Sequence, residues 1–231
     1  MKKGGGIRGV IFDWDGTLLD SYHADAAAFL AMFHELGIPW TERELHKHYS
    51  PNWHRVYRAA GIPESRWEEA DRIWHRHYRK HRPKLLPGAK ECLRTLERKY
   101  RLALVTSGNR KRVRRQLREF GLTNVFAARV FAEDAAHRKP HPAPLQMALR
   151  ALRLKAEDCV YVGDAPEDVE MARRAGTRAI GFLGPFPTHK RLRQEKPDGM
   201  TGELGKIGAL VERLGRNGRG KRVSRRNLAR D

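Results

Sequence analysis

Apolar and polar positions follow two different periods along this chain, and the change of period marks its elements. Near-continuous apolar runs predict strands at Gly9–Phe12, Leu102–Thr106, Arg129–Phe131, Val160–Gly163 and Arg178–Phe182. Between them, apolar residues recur every three or four positions and predict helices at Ala89–Lys99, Arg110–Phe120, Pro144–Leu152 and Pro166–Ala175. Gly121 and Gly176 stand where helices end in left-handed backbone, and Pro166 where a first turn tolerates proline. Strands that are apolar on both faces and alternate with helices predict an α/β fold, a doubly wound, Rossmann-like parallel sheet covered on both sides. Ligands of such sheets bind beyond the carboxyl ends of the strands.

Between about Asp20 and Pro87 the alternation stops. Helical patterns are expected there at Ala24–Leu36, Thr41–Tyr49, Asn52–Ala60 and Arg66–His81, with Ser50 and Pro51 as N-cap and first-turn pair for the third. Trp67, Ala70, Trp74 and Tyr78 share one face of the last helix. The expected organisation is therefore a core of residues 1–19 and 88–215, a helical cap of residues 20–87 inserted after the first strand, and a tail of residues 216–231.

Composition narrows the picture only in part. An apolar fraction of 40% over 231 residues suffices for a real core. The two cysteines, Cys92 and Cys159, have no metal-like neighbours in sequence and are expected as reduced, buried thiols. No apolar run approaches the length of a membrane span, and the opening MKKGGGIRGV has no apolar leader, so a soluble, cytoplasmic protein without membrane contact is expected, a monomer by default.

The formal net charge is +20, and the last sixteen residues, RNGRGKRVSRRNLARD, carry seven of the basic side chains against one Asp. That tail lacks apolar periodicity and is expected to be disordered. It would attract nucleic acid non-specifically, but it has none of the interleaved aromatics of a nucleic-acid motif. An arginine-rich proteome explains the charge more simply, in keeping with only eight Asn and Gln residues. A nucleic-acid-associated protein is the alternative of a different class.

The chemistry lies at the predicted strand ends. The first strand runs into Asp13, with Asp15 just beyond; the second into Thr106, Ser107, Gly108 and Asn109; Lys139 follows the third in RKPHPAP; the fourth runs into Asp164, with Asp168 four residues on. Carboxylates, a hydroxyl and a lysine thus converge from four separate regions. Phosphoryl transfer needs such a set: an in-line nucleophile, a divalent cation, and donors to the remaining phosphoryl oxygens. A carboxylate can be the nucleophile, and a second one two residues later can serve as general acid and base.

The four segments DWDGT, LALVTSGN, KPHPAP and VGDAPEDVEMARRAG, in this order, resemble the motifs of the haloacid dehalogenase superfamily of aspartate-nucleophile phosphohydrolases. The likeness covers roughly residues 7 to 215. It implies that Asp13 is nucleophile and metal ligand, and that Asp15 is general acid and base with its carbonyl on Mg²⁺. It further implies that Thr106 and the amide of Ser107, in the Ser107-Gly108 turn, bind the phosphoryl group and that Lys139 balances its charge. Asp164 and Asp168 would complete the metal site.

The insertion corresponds to the helical cap of the phosphoglycolate phosphatase-like and beta-phosphoglucomutase-like branch. Caps of that kind exclude water during the first step. Asn52, His54 and Arg55 are the expected substrate contacts of the cap. Dehalogenases of the superfamily lack the second aspartate, and phosphonate-cleaving relatives read DWAGT, so Asp15 argues against both. Mutase-like members often carry a histidine twelve residues after the nucleophile, where this chain has Asp25. The leading expectation is a Mg²⁺-dependent phosphatase for a small phosphorylated metabolite such as phosphoglycolate or a sugar phosphate, with a phosphomutase as the alternative. Residues 183–194 could either edge the site or cross the surface.

Overall fold

The computed structural model describes residues 6–216. In chain order the elements are β1 (Gly9–Phe12), β2 (Leu19–Asp20), α1 (Tyr22–Glu35), α2 (Glu42–His48), α3 (Trp53–Ala59), α4 (Trp67–Tyr78), β3 (Lys84–Leu85), α5 (Ala89–Glu97) and β4 (Arg101–Val105). There follow α6 (Arg110–Glu119), β5 (Ala128–Val130), α7 (Ala143–Leu152), β6 (Cys159–Gly163), α8 (Pro166–Ala175), β7 (Arg178–Phe182), α9 (His189–Gln194), β8 (Gly199–Thr201) and α10 (207–216).

Six strands form one sheet in the order β5-β4-β1-β6-β7-β8, and every pairing is parallel. The expected α/β class holds, and the reason is visible strand by strand. Val10 and Phe12 pack into one apolar layer with helix α5, while Ile11 packs into the other with helices α7 and α8. Both faces of β1 are buried, so its run carries no polar residue until Asp13. Cys92 and Cys159 are free and buried in these two layers.

Helices α1–α4 share an apolar centre of their own, built from Phe29, Met32, Phe33, Leu45, Val56, Tyr57 and Ala70. Ala70 and Tyr78 are buried on α4, and Trp67 and Trp74 pack against the same interior, so the apolar face of that helix is as expected. The two ends of this helical segment meet in the antiparallel pair β2–β3, in which Leu19 faces Leu85. Two residues per strand are too short to register as a strand period in sequence.

Three local expectations need correction. Ser50 does not cap α3. Asn52 holds that position, and the hydroxyl of Ser50 accepts the amide of Asn52 at 3.1 Å and donates to Glu167 at 2.7 Å. The fourth cap helix begins at Trp67, after a short 3₁₀ turn at Glu64–Arg66, and ends at Tyr78. Beyond β7 the chain adds α9 and β8, too polar or too short to announce themselves, and α10, whose Ile207, Leu210, Val211 and Leu214 recur at helical spacing and pack on the core but lie outside the expected helices. The expected tail lies outside the described residues from position 217 onward.

Candidate active site

Three adjacent strands deliver the central residues to one edge of the sheet. The amide of Asp13 still donates to the carbonyl of Val162 at 2.9 Å, and that of Thr106 to Val130 at 3.0 Å. Each residue thus continues the ladder one step past its strand, which fixes its backbone while its side chain leaves the core. Asp164 follows β6 directly, and Asp168 sits in the first turn of α8.

Lys139 comes from the connection between β5 and α7 and is 2% exposed. Its ammonium lies 2.9 Å from Asp13 Oδ1 and 2.8 Å from Asp168 Oδ1. Asp168 is held in turn by the amide of Ala165 at 3.1 Å and lies 3.2 Å from the hydroxyl of Tyr161. The hydroxyl of Thr17 donates to Asp164 Oδ1 at 3.1 Å, and that of Thr188 to the Asp164 carbonyl at 2.6 Å. Gly16 turns the chain with φ of 77°, and a Cβ there would overlap the Asp164 carboxylate. Thr106 Oγ1 accepts the amide of Gly108 at 2.9 Å, which leaves its own proton free for another acceptor.

Ligand oxygens of Asp13, Asp164 and Asp168 lie within 4.8 Å of one another, all buried. Burial pushes the carboxyl of Asp13 up, with Lys139 opposing and Asp168 adding to the rise. Burial and then Asp13 push Asp164 up as well. Burial works against the Lys139 ammonium, but Asp13 and Asp168 hold its pKa above the ordinary value. One ammonium does not balance three buried carboxylates. An oxygen-only set with uncompensated negative charge fits a divalent cation that keeps several waters, and Asp13, Asp164 and Asp168 are the residues that would hold it.

Asp15 stands apart from that cluster. Its two oxygens are bridged by Arg112, Nη1 to Oδ1 at 2.8 Å and Nη2 to Oδ2 at 2.6 Å. Burial raises its pKa, but the guanidinium outweighs that and holds the carboxyl below its usual range. Asp15 faces a cavity of about 230 Å³ between core and cap, which Asp13, Thr106, Ser107, Gly108 and Asp164 also line. The cap closes it with Asp25, Trp53, Tyr57, Trp74 and others.

Residues 10–182 match the family model described as haloacid dehalogenase-like hydrolase. The chain belongs to the haloacid dehalogenase-like hydrolases. Within curated sequences, it is 30% identical over 205 residues to a candidate pyrophosphatase PpaX of Caldanaerobacter subterraneus, covering 83% of this chain and 89% of that one. It is 26% identical over 213 residues to the pyrophosphatase PpaX of Bacillus mycoides, covering 90% of this chain and 98% of that one. Among solved structures, CbbY of Rhodobacter sphaeroides in complex with phosphate shares the fold at a TM-score of 0.74 and 24% identity, over 89% of this chain and 99% of that one. A hydrolase of Pseudomonas syringae does so at a TM-score of 0.79 and 25% identity, over 89% and 98%. The chain is therefore an enzyme of hydrolase type with phosphatase relatives.

Within this haloacid dehalogenase-like site, the structure gathers Asp13, Asp15, Thr106, Ser107, Gly108, Lys139, Asp164 and Asp168 at one place. It does not place Asn52, His54 or Arg55 on the cavity wall. Asn52 stands at the N-cap position of α3 without a capping side-chain hydrogen bond, the ring of His54 packs tilted against Trp67 at 4.2 Å, and Arg55 lies 3.4 Å from Glu167. Trp53 and Tyr57, four apart on the other face of α3, take the wall instead.

Residues 183–194 edge the site: Phe186 lines the cavity and stacks on Tyr49, and Thr188 holds the Asp164 backbone. Sequence reasoning also missed Arg112 and Arg138 on the wall, where Asp25, singled out at the mutase-like histidine position, stands too. Arg112, three residues past the helix cap Asn109, was the one with a positional signal.

Proposed function

We propose that this chain is a Mg²⁺-dependent phosphatase that hydrolyses a small phosphomonoester, of the phosphoglycolate or sugar-phosphate class, through a phosphoaspartyl intermediate on Asp13. The observation that carries the reading is the position of Lys139, in ion-pair contact with both Asp13 and Asp168 while Asp164 closes the acidic cluster. A carboxylate this deeply buried and paired is suited to attack phosphorus rather than to meet solvent.

In the first step Asp13 attacks the phosphoryl group as its bond to the leaving oxygen breaks; Asp15 on the cavity side, ionised beside Arg112, first takes up a proton from the entering substrate monoanion and then passes it to that oxygen. Lys139 keeps the phosphoryl charge compensated against Asp13, and the free hydroxyl proton of Thr106 donates to a phosphoryl oxygen. In the second step Asp15 takes a proton from the water that cleaves the acyl phosphate. A bound divalent cation would draw charge from the phosphoryl oxygens. The aromatic cap wall excludes bulk water from the acyl phosphate.

Asp25, not a basic residue, stands on the wall where mutase-like relatives often have histidine, which favours hydrolysis over phosphoryl return to a bound sugar phosphate. The pyrophosphatases among its relatives make pyrophosphate a further compound to try.

The test is a panel of phosphoglycolate, sugar phosphates, pyrophosphate and p-nitrophenyl phosphate, each with Mg²⁺. Asp13→Asn is expected to abolish turnover of every active compound, and Asp15→Asn to stop turnover or leave phosphate on the protein. Full activity in Asp13→Asn overturns the reading.

A further inference from the structure

We propose that Arg112 is a positioning residue for the acid/base step. It fixes the Asp15 carboxylate on the leaving-group side of the cavity and ties that orientation to the cap through Tyr78. The inference rests on the phosphatase reading above.

The geometry is specific to an arginine. Two nitrogens of one planar group meet two oxygens of one carboxylate, which sets the carboxylate's plane as well as its place; a lysine ammonium cannot do both. The pair is enclosed, with side-chain exposures of 10% for Arg112 and 23% for Asp15, so water does little to loosen it.

Arg112 is itself held on every side. The side chain of Asn109 accepts the amide of Arg112 at 3.2 Å, which places the residue in the first turn of α6. Gly108 leaves the guanidinium room, since a Cβ there would stand 2.5 Å from Nη2. One helical turn on, buried Gln116 accepts the indole N–H of Trp14 at 3.0 Å and lies 3.4 Å from Arg112 Nη1. Helix α6 thus grips the consecutive residues Trp14 and Asp15 through two side chains four positions apart.

The link to the cap is the last residue of α4. Arg112 Nη1 donates to the Tyr78 hydroxyl at 3.2 Å, and its guanidinium carbon lies 4.9 Å from the centre of the Tyr78 ring. Tyr78 is 2% exposed and packs on Trp74 of the cavity wall. A cap displaced from the core loses both contacts, and Asp15 loses part of its fixed orientation. Misplacing a proton donor by about 1 Å costs on the order of 100-fold in rate.

The experiment is a double-mutant cycle with two aryl esters of similar shape and different leaving-group acidity, p-nitrophenyl phosphate and phenyl phosphate. Arg112→Gln is expected to lower the single-turnover rate of leaving-group release, which reports the first step alone, on the order of 100-fold for phenyl phosphate and less than about 10-fold for p-nitrophenyl phosphate, because only the poorer leaving group depends on a well-placed proton. KM should stay within about 3-fold, since Arg112 acts on the step and not on binding. In an Asp15→Asn background, where steady turnover stops, Arg112→Gln should slow the single-turnover release of p-nitrophenol less than about 2-fold further, as expected when one residue acts through the other. Arg112→Lys should recover only part of the rate, and it serves in place of Arg112→Gln if that variant does not fold.

Native-like rates in folded Arg112 variants, an equal fall for both esters, or a full additional loss in the Asp15→Asn background would each overturn the proposal. An inactive Asp13→Asn protein beside fully active Arg112 variants would remove this inference alone. An active Asp13→Asn protein would remove the phosphatase reading with it.

Discussion

The ammonium of Lys139 lies 2.9 Å from a carboxylate oxygen of Asp13, at a site where Lys139 is 2% exposed. Neither group reaches bulk water, so each depends on the other for its charge. Removing one partner of such a buried pair leaves the other uncompensated, at a cost of about 3–5 kcal/mol. Lys139→Ala is therefore expected to lower the thermal midpoint and to lose more than about 100-fold in hydrolysis, the scale of one lost electrostatic donor. Thermal melts and turnover with Mg²⁺ check this; a variant as stable and active as the parent would contradict it.

Mg²⁺ should stabilise the folded protein through the acidic cluster. A ligand at 100 times its Kd adds about 2.7 kcal/mol when it binds only the folded state. The native protein is expected to melt higher with Mg²⁺ than with a chelator, and Asp164→Asn to lose most of that difference. A gain undiminished in Asp164→Asn would place the ion elsewhere.

Asp25 gives a pH dependence with a defined sign. Burial, then the nearby Asp15, push its carboxyl up to about 8, against an ordinary value of 3.8. The folded protein keeps that proton to about pH 8, whereas the unfolded chain gives it up near pH 4. Its contribution to stability is thus fully present below pH 4 and is lost as pH rises toward 8. Asp25→Asn removes the penalty, so its melting temperature relative to the parent should increase between pH 5 and pH 8. A constant difference across that range would show that Asp25 titrates normally.

Gly16→Ala should damage the site without replacing a charged group. The left-handed backbone at φ of 77° costs a residue with a Cβ about 1–2 kcal/mol, and that Cβ would overlap the Asp164 carboxylate. Weaker Mg²⁺ stabilisation and a fall in kcat of more than about 10-fold are expected. An unaltered Mg²⁺ response would mean that Asp164 relaxes freely.

What the sequence determined by itself was the part written in short-range patterns. The sheet strands β1, β4, β6 and β7 are largely apolar on both faces because helices cover both sides, so their runs, and the first polar residues after them, could be read directly. Asp13, Thr106 and Asp164 are legible for that reason, and Lys139 and Asp168 through the motif order around them. The tertiary structure alone decided which groups meet across long separations. Arg112 bridges Asp15 from 97 positions away, and Ser50 donates to Glu167 from 117 away. Likewise Trp53 and Tyr57, not Asn52, His54 and Arg55, face the cavity, because the face of α3 is set by how the cap packs rather than by the residue types it carries. A polar side chain on a short helix can point to solvent, a neighbour or a site with the same sequence signature, and only the packed neighbours distinguish these.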